Sequence, residues 1–300
     1  MSDLALYLLR LLQYLSLMLL FGLPLLQWQA ERTMHGMPGG AAWFADRPLQ
    51  PWLPAWLGIA VVMQCLDAPL KTMRILGLSW SELDADAFGW YLLETPAGLA
   101  WVVRAALLLA IAALLWSPAR RYAFSSRLVG LLAGGALLTL LWNGHAAASE
   151  GAASALRLTI GGLHLLAAAA WLGAIAGFLQ LMAQDRFRRD DIGALSRLHV
   201  LLHAFSGTGT WLVLILLATG LPHYAWIMQW QWSPSQMLPT PYGRWRLVKL
   251  LLFGGMLVLA ALHRWVLVPR LQRARDIAAG VQAGGGQAAG GEAGGGGGGE

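Results

Sequence analysis

The sequence predicts an all-α protein: a polytopic transmembrane helix bundle of about seven spans with a parallel internal repeat. Three observations carry this. Several apolar runs reach the roughly 20 residues a helix needs to cross a bilayer. Of 300 residues, 57 % are hydrophobic and only 12 % charged, about half the charged share of a soluble domain. Lys and Arg gather in alternate connections, the pattern that sets membrane topology. Sixteen tryptophans agree, since Trp concentrates where helices meet the headgroups.

In chain order the predicted spans are residues 4–26, 53–77, 97–116, 126–147, 157–182, 197–220 and 246–268. Met1-Ser2-Asp3 has no basic region, so the first run reads as a span and not as a cleaved leader. The connections 27–52 and 221–245 are long and rich in Pro, Trp and Met. Arg32 and Arg47 fall in the first connection, Arg120, Arg121 and Arg127 in the third, and Arg186, Arg188, Arg189 and Arg197 in the fifth. Residues 79–95, 143–156 and 221–243 contain neither Lys nor Arg. The N-terminus is therefore expected outside and the C-terminus in the cytoplasm. Lys71 and Arg74 break the rule at the outer end of span two, so they need a buried partner or an anionic ligand.

The net charge of +6 thus reports topology, and membrane lipid, not nucleic acid, is the expected surroundings. One cysteine, Cys65, excludes an intramolecular disulfide. Residues 1–272 read as the transmembrane domain. Residues 273–300, mostly Gly and Ala, read as a disordered cytoplasmic tail, because they cannot bury enough apolar surface to order themselves.

The chain also repeats itself. Thr95-Pro96-Ala97-Gly98 leading to Arg104 matches Thr240-Pro241-Tyr242-Gly243 leading to Lys249 at the same spacing. Leu12-Gln13-Tyr14-Leu15 through Gly22 matches Leu163-His164-Leu165-Leu166 through Gly173. Spans one to three then correspond to spans five to seven, in the same orientation because one span separates them.

Ionisable residues at membrane depth cost free energy to bury and are functional candidates by default. His164 lies seven residues into its span, roughly 10 Å below the surface at the helical rise. His145 closes span four at the same face, and both are candidate metal ligands, with Met63 beside them as a thioether. His203 and His223 are further possible ligands, with Met228 and Met237 at the outer face. Imidazole and thioether suit copper, whereas structural zinc usually recruits clusters of thiolates, absent here. For each residue a plainer role exists: a neutral histidine bonded to a neighbouring helix, or a methionine that only packs.

Met63, Asp67, Lys71 and Arg74 form one stripe on span two. Asp67 and Lys71 are spaced to pair, and Asp67, Lys71, Arg104 and Lys249 are read as an ion-pair set or a polar pathway facing the bundle interior. Pro69 within the stripe frees a backbone carbonyl. His199 and His203 are also four apart, compatible with one metal or with two interfacial imidazoles. Gly130-x-x-x-Gly134 and Gly173-x-x-x-Gly177 are small-residue pairs that let helices approach closely. No phosphate-binding glycine loop, HExxH, nucleophile elbow or Cys-x-x-Cys is present, so the sequence does not read as an enzyme.

These features together resemble the copper resistance D family of bacterial inner-membrane proteins. The carriers are Gly144-His145-Ala146, Leu163-His164 with Trp171-Leu172-Gly173, Phe205-Ser206, Thr219-Gly220, Thr95 to Arg104, Thr240 to Lys249, and His263-Arg264 through Pro269-Arg270-Leu271. The resemblance covers nearly the whole chain to about residue 272. It implies copper passage from periplasm towards cytoplasm, copper resistance, and a periplasmic copper-binding partner. Two departures stand out: family members often carry histidine where this chain has Gln13, and many continue into an eighth span. Two alternatives remain: a membrane oxidoreductase related to porphyrinogen oxidases, with heme b held by these histidines and its propionates by Arg104 and Lys249, and a structural subunit without substrate.

The topology is tested by reporter fusions. Fusions after residues 88, 150 and 232 should read periplasmic and those after 121 and 189 cytoplasmic. A cytoplasmic signal at 150 overturns the assignment.

Overall fold

The computed structural model describes residues 3–35, 51–118, 123–143, 152–183 and 192–227, with Arg244, Leu247, Val248, Leu251, Gly254, Gly255 and Val258 beyond them. Contacts divide the chain into two units, Met1–Trp230 and Gln231–Glu300. In the second unit those last residues are helical. The rest of the seventh predicted span, Lys249 and the tail 273–300 lie outside the described residues.

The first unit is an all-helical bundle: α1 (Asp3–Met34), α2 (Leu53–Leu76), α3 (Ala85–Glu94), α4 (Pro96–Trp116), α5 (Ala123–Leu138), α6 (Ala152–Met182) and α7 (Ile192–Ile227). A 3-10 segment, Thr139–Asn143, closes α5. Among the described residues six helices, all but α3, are long and apolar enough to cross a membrane. The polytopic bundle is therefore present.

Three boundaries correct the sequence reading. α1 runs to Met34 instead of giving way to a connection at residue 27. Its polar last turns find partners: Gln27 donates to Glu31 at 3.0 Å, Gln29 donates to Thr208 Oγ1 at 2.8 Å, and Arg32 lies 5.1 Å from the Trp28 ring centroid. The span expected to continue to 147 leaves α-geometry after Leu138 and is 3-10 over Thr139–Asn143, with 144–147 outside the described residues. The connection 79–95 contains a helix, α3, which Asp84 caps by accepting from the Ala87 N–H at 2.8 Å.

α1 is the axis of the unit and packs against α2, α5 and α6, with Leu17, Leu20 and Leu23 at most 2 % exposed. α2 begins with a proline in its first turn and stops at Gly77, whose φ of 69° favours glycine. α2 runs as helix through Pro69. Water offers no driving force between helices inside a bilayer, so close packing through small residues must supply it. Gly130 and Gly134 of α5 meet Pro24 and Phe21 of α1, while Gly173 and Gly177 of α6 meet Gly22 and Leu26. A Cβ on Gly22 would lie 2.7 Å from the Gly173 Cα.

These contacts fix direction. α5 meets α1 at Gly134–Phe21 and Gly130–Pro24, and meets α6 at Gly162–Leu138 and Gly134–Leu166, so it is antiparallel to both. α1 and α6 are therefore parallel. α7 returns antiparallel to α6 through Trp171–Gly209 and Phe178–Phe205. α2 returns antiparallel to α1, from Gln64 beside Gln13 to Arg74 and Lys71 sharing a cleft with Leu6 and Arg10. The first two helices of each sequence repeat thus run in the same sense, and the matched glycines, Gly22 and Gly173, touch each other.

Gly22→Ala and Gly173→Ala should each cost about 1–3 kcal/mol by overpacking this crossing. Gly58→Ala, where a Cβ meets open space, should cost nothing. Thermal unfolding of the purified proteins in detergent reads the difference.

Candidate functional site

The Thr95-Pro96-Ala97-Gly98 corner sets where α4 enters the bundle. The Thr95 hydroxyl donates to the Tyr91 carbonyl at 2.6 Å and accepts from the Gly98 N–H at 2.9 Å. Pro96 occupies the first turn, where a missing N–H costs nothing. A Cβ on Gly98 would lie 2.6 Å from the Leu92 Cα, so α3 can fold back onto α4 only over glycine. Arg104 follows six residues later, roughly 9 Å further along the helix.

Arg104 is fully buried at 0 % exposure, and each of its three nitrogens has an acceptor. Nε donates to Gln64 Oε1 at 2.5 Å, Nη1 to Thr139 Oγ1 at 3.3 Å, and Nη2 to Asp67 Oδ2 at 3.3 Å. Thr139 can accept because its own proton goes to the Ala136 carbonyl at 2.7 Å. Gln64 is the hub on α2. Its Nε2 donates to the Trp101 carbonyl at 2.9 Å, its carbonyl accepts from Trp101 Nε1 at 2.7 Å, and its Oε1 also faces Gln13 Nε2 at 3.5 Å. Lys71 Nζ shares Asp67 Oδ2 with Arg104, at 2.8 Å. α1, α2, α4 and the end of α5 are thereby tied together by polar contacts.

One carboxylate here serves two cations. A metal ion passing through would meet net positive charge, and like unit charges 4 Å apart repel by roughly 4 kcal/mol at an effective dielectric near 20. The ion pairs and hydrogen bonds clamp the helices together.

His164 presents different chemistry. It is half-buried on α6, and its Nδ1 lies 3.0 Å from Thr219 Oγ1 of α7. The Thr219 hydroxyl spends its proton on the Ile215 carbonyl at 2.5 Å. Its oxygen therefore accepts from His164 Nδ1–H, which leaves the lone pair on Nε2. Gly220 makes room: a Cβ there would lie 3.3 Å from His164 Cε1. A neutral imidazole oriented through one nitrogen, with the lone pair on the other, is the arrangement seen when histidine binds a metal.

Among the described residues, the structure brings no other sequence candidate to His164. Met63 is half-buried on α2, and α2 and α6 each pack on α1 without extensive contact of their own. His203 is exposed and His199 half-buried on α7, far along the helix from Thr219. The His223 backbone ends within α7, its side chain outside the described residues. His145, Met228, Met237 and Lys249 lie outside them too. Among the described residues, no group of three His, Cys, Asp or Glu is placed to hold a metal ion. Gln64, Thr139 and Thr219 were not singled out as site residues by the sequence reading. Gln64 had a visible signal, a glutamine three residues before Asp67 on the same face of an apolar helix.

Residues 1–155 match the family described as "Copper resistance protein D-like, N-terminal domain", and residues 199–292 match "Copper resistance protein D". Copper resistance protein D of Pseudomonas syringae pv. tomato is 31 % identical over 263 residues, covering 87 % of this chain and 81 % of the relative. Inner membrane protein YebZ of Escherichia coli K12 is 30 % identical over 90 % of this chain and 87 % of its own length. Copper transport protein CutJ of Bacillus subtilis 168 is 30 % identical over 76 % of this chain and 41 % of its own length. No solved structure matches.

The clamp makes a quantitative prediction. Asp67→Asn leaves the buried Arg104 and the half-buried Lys71 without their carboxylate and should cost about 3–5 kcal/mol. Asp67→Asn combined with Arg104→Gln should recover part of that loss, and a double-mutant cycle on thermal stability measures the coupling. Arg104→Lys should not substitute, since an ammonium cannot reach Gln64, Thr139 and Asp67 together.

Proposed function

The chain belongs to the copper resistance protein D family, and from that premise we propose that it carries copper across the bacterial inner membrane. The direction is from the periplasm towards the cytoplasm, and the passage contributes to copper resistance. The single observation that supports this best is His164, an intramembrane imidazole whose Nδ1–H is held by Thr219.

The positive-inside pattern puts the half of the bundle containing His164 on the periplasmic side. His145, two residues beyond Asn143 in the chain, supplies the second imidazole. Two ligands with an open position bind copper tightly enough to load and loosely enough to release, unlike a closed four-ligand cage. A periplasmic copper-binding protein delivers the metal. The Asp67–Arg104 clamp stays out of the path, its positive excess keeping the ion on the α6–α7 side. Met63 packs on α2 and takes no part. No catalysis is assigned. A heme b reading would need Arg104 for a propionate, and each of its three nitrogens already bonds a group inside the bundle.

His164→Ala and His145→Ala should lower copper accumulation in cells at unchanged protein level, and His199→Ala should do less. Thr219→Val, which releases the imidazole, should weaken copper binding by about tenfold. A purified protein with a Soret band that His164→Ala abolishes, or unchanged copper uptake in both histidine variants, overturns the reading.

A further inference from the structure

A second feature lies at the end of the bundle formed by the α1 N-terminus, the α2 C-terminus, α3 and the start of α4. A cleft of about 340 Å³ opens there, lined among others by Tyr7, Arg10, Lys71, Arg74, Ile75 and Tyr91. Its charge is one-sided. Arg10, Lys71 and Arg74 line it, and Arg104 lies behind, bonded to the same Asp67 oxygen as Lys71. Asp67 pairs with both Lys71 and Arg104.

Tyr91 adds an independent observation. It is 0 % exposed, and its hydroxyl is buried without a hydrogen-bond partner among the described residues. A sealed hydroxyl that has lost water and gained nothing is costly, and such a group in a native site calls for a partner. Burial, and secondarily the Asp67 charge, push the Tyr91 hydroxyl up to about 12, so it stays protonated and can only serve an anion as a donor. Arginines that merely snorkelled to the headgroups would need no such third group.

We propose that this cleft binds an oxyanion of the phosphate type, presented by a phospholipid headgroup or as a free ion. Arg10 and Arg74 grip it with charge-assisted hydrogen bonds and the Tyr91 hydroxyl completes its coordination. Ile75 and Tyr7 offer apolar wall to an acyl chain if the source is a lipid. The site is separate from His164 and does not depend on the copper reading.

The test uses the full chain purified in an uncharged detergent, with unfolding followed by its tryptophan fluorescence. The probes are inorganic phosphate against chloride at equal ionic strength, and short-chain phosphatidylglycerol against phosphatidylcholine. A ligand that binds the folded state raises the unfolding temperature. Stabilisation by phosphate identifies a free ion, and stabilisation by phosphatidylglycerol alone identifies a lipid; either supports the site. Arg74→Gln and Tyr91→Phe should each weaken that response by about tenfold, the loss of one hydrogen bond to a charged group. Tyr91→Phe should leave the ligand-free protein as stable as before or more so, because it removes an unsatisfied hydroxyl. Arg32→Gln, at the other end of α1, should change nothing. The proposal falls if neither phosphate nor phosphatidylglycerol exceeds its control, if Tyr91→Phe and Arg74→Gln bind as well as the parent, or if Arg32→Gln weakens binding equally.

Discussion

A guanidinium sealed inside an apolar bundle has no water to turn to, so each donor it carries must meet an acceptor built into the protein. Arg104 imposes that demand on this chain. Its acceptors come from α2 at Gln64 and Asp67 and from the 3-10 segment at Thr139, so α4 cannot slide against either neighbour without stranding a charge. The departure from α-geometry after Leu138 falls where Thr139 must turn its oxygen to the guanidinium. The Thr-Pro-x-Gly corner belongs to the same constraint, since it sets how deep Arg104 hangs below the end of the bundle. A well-packed apolar core is often as stable as a buried ion pair. The gain here is a fixed register among helices whose apolar surfaces alone would tolerate many.

Packing supplies what polar contacts cannot. α1 is buried on several sides because small residues let its neighbours close in: Gly130 and Gly134 from α5, Gly173 and Gly177 from α6. The tightest approach joins Gly22 to Gly173, matched positions of the repeat. When equivalent residues of two copies touch, the relation between the copies passes through that contact. α1 and α6 accordingly run parallel, an arrangement that needs an odd number of spans between them and has α5 antiparallel to both. α5 stands outside the repeat, and it donates Thr139 to the first copy's clamp.

Much of this was legible in the residues. Spans two to six were visible as apolar runs, because a membrane span is an unbroken signal roughly 20 residues long. Helix ends were harder. α1 continues past residue 26 because Gln27, Gln29 and Arg32 find tertiary and local partners, information absent from hydropathy. α3 escaped because ten mixed residues, Ala85–Glu94, look like loop until Asp84 and Thr95 are seen to cap its two ends. In the site, the spacing of Asp67 and Lys71 announced their pairing, and Arg104 announced burial through its place in an apolar run. Gln64 gave only the weaker signal of its place three residues before Asp67 on the same helix face, without a charge to announce it. Nor could spacing decide whether Met63 reaches His164, a question of which helices share a face with α1.

The two copies of the repeat hold different chemistry at the same place. In the first, Gln13 of α1 faces Gln64 of α2; in the second, His164 of α6 faces Thr219 of α7. Gln13 is 3 % exposed and stands against a hub already bonded to Arg104, so this position is locked to the clamp. An amide there can satisfy Gln64 but offers no lone pair with high affinity for a soft metal. His164 is half-buried, and a hydroxyl fixes its ring through Nδ1. Under the proposed function, a transported cation would gain from this asymmetry. If both positions bound it equally, two wells of similar depth would compete, and the one beside Arg104 and Lys71 would be penalised by their charge. With glutamine in the first copy, the clamp holds the bundle in register, and the ligand proposed for copper stands in the other copy, at His164.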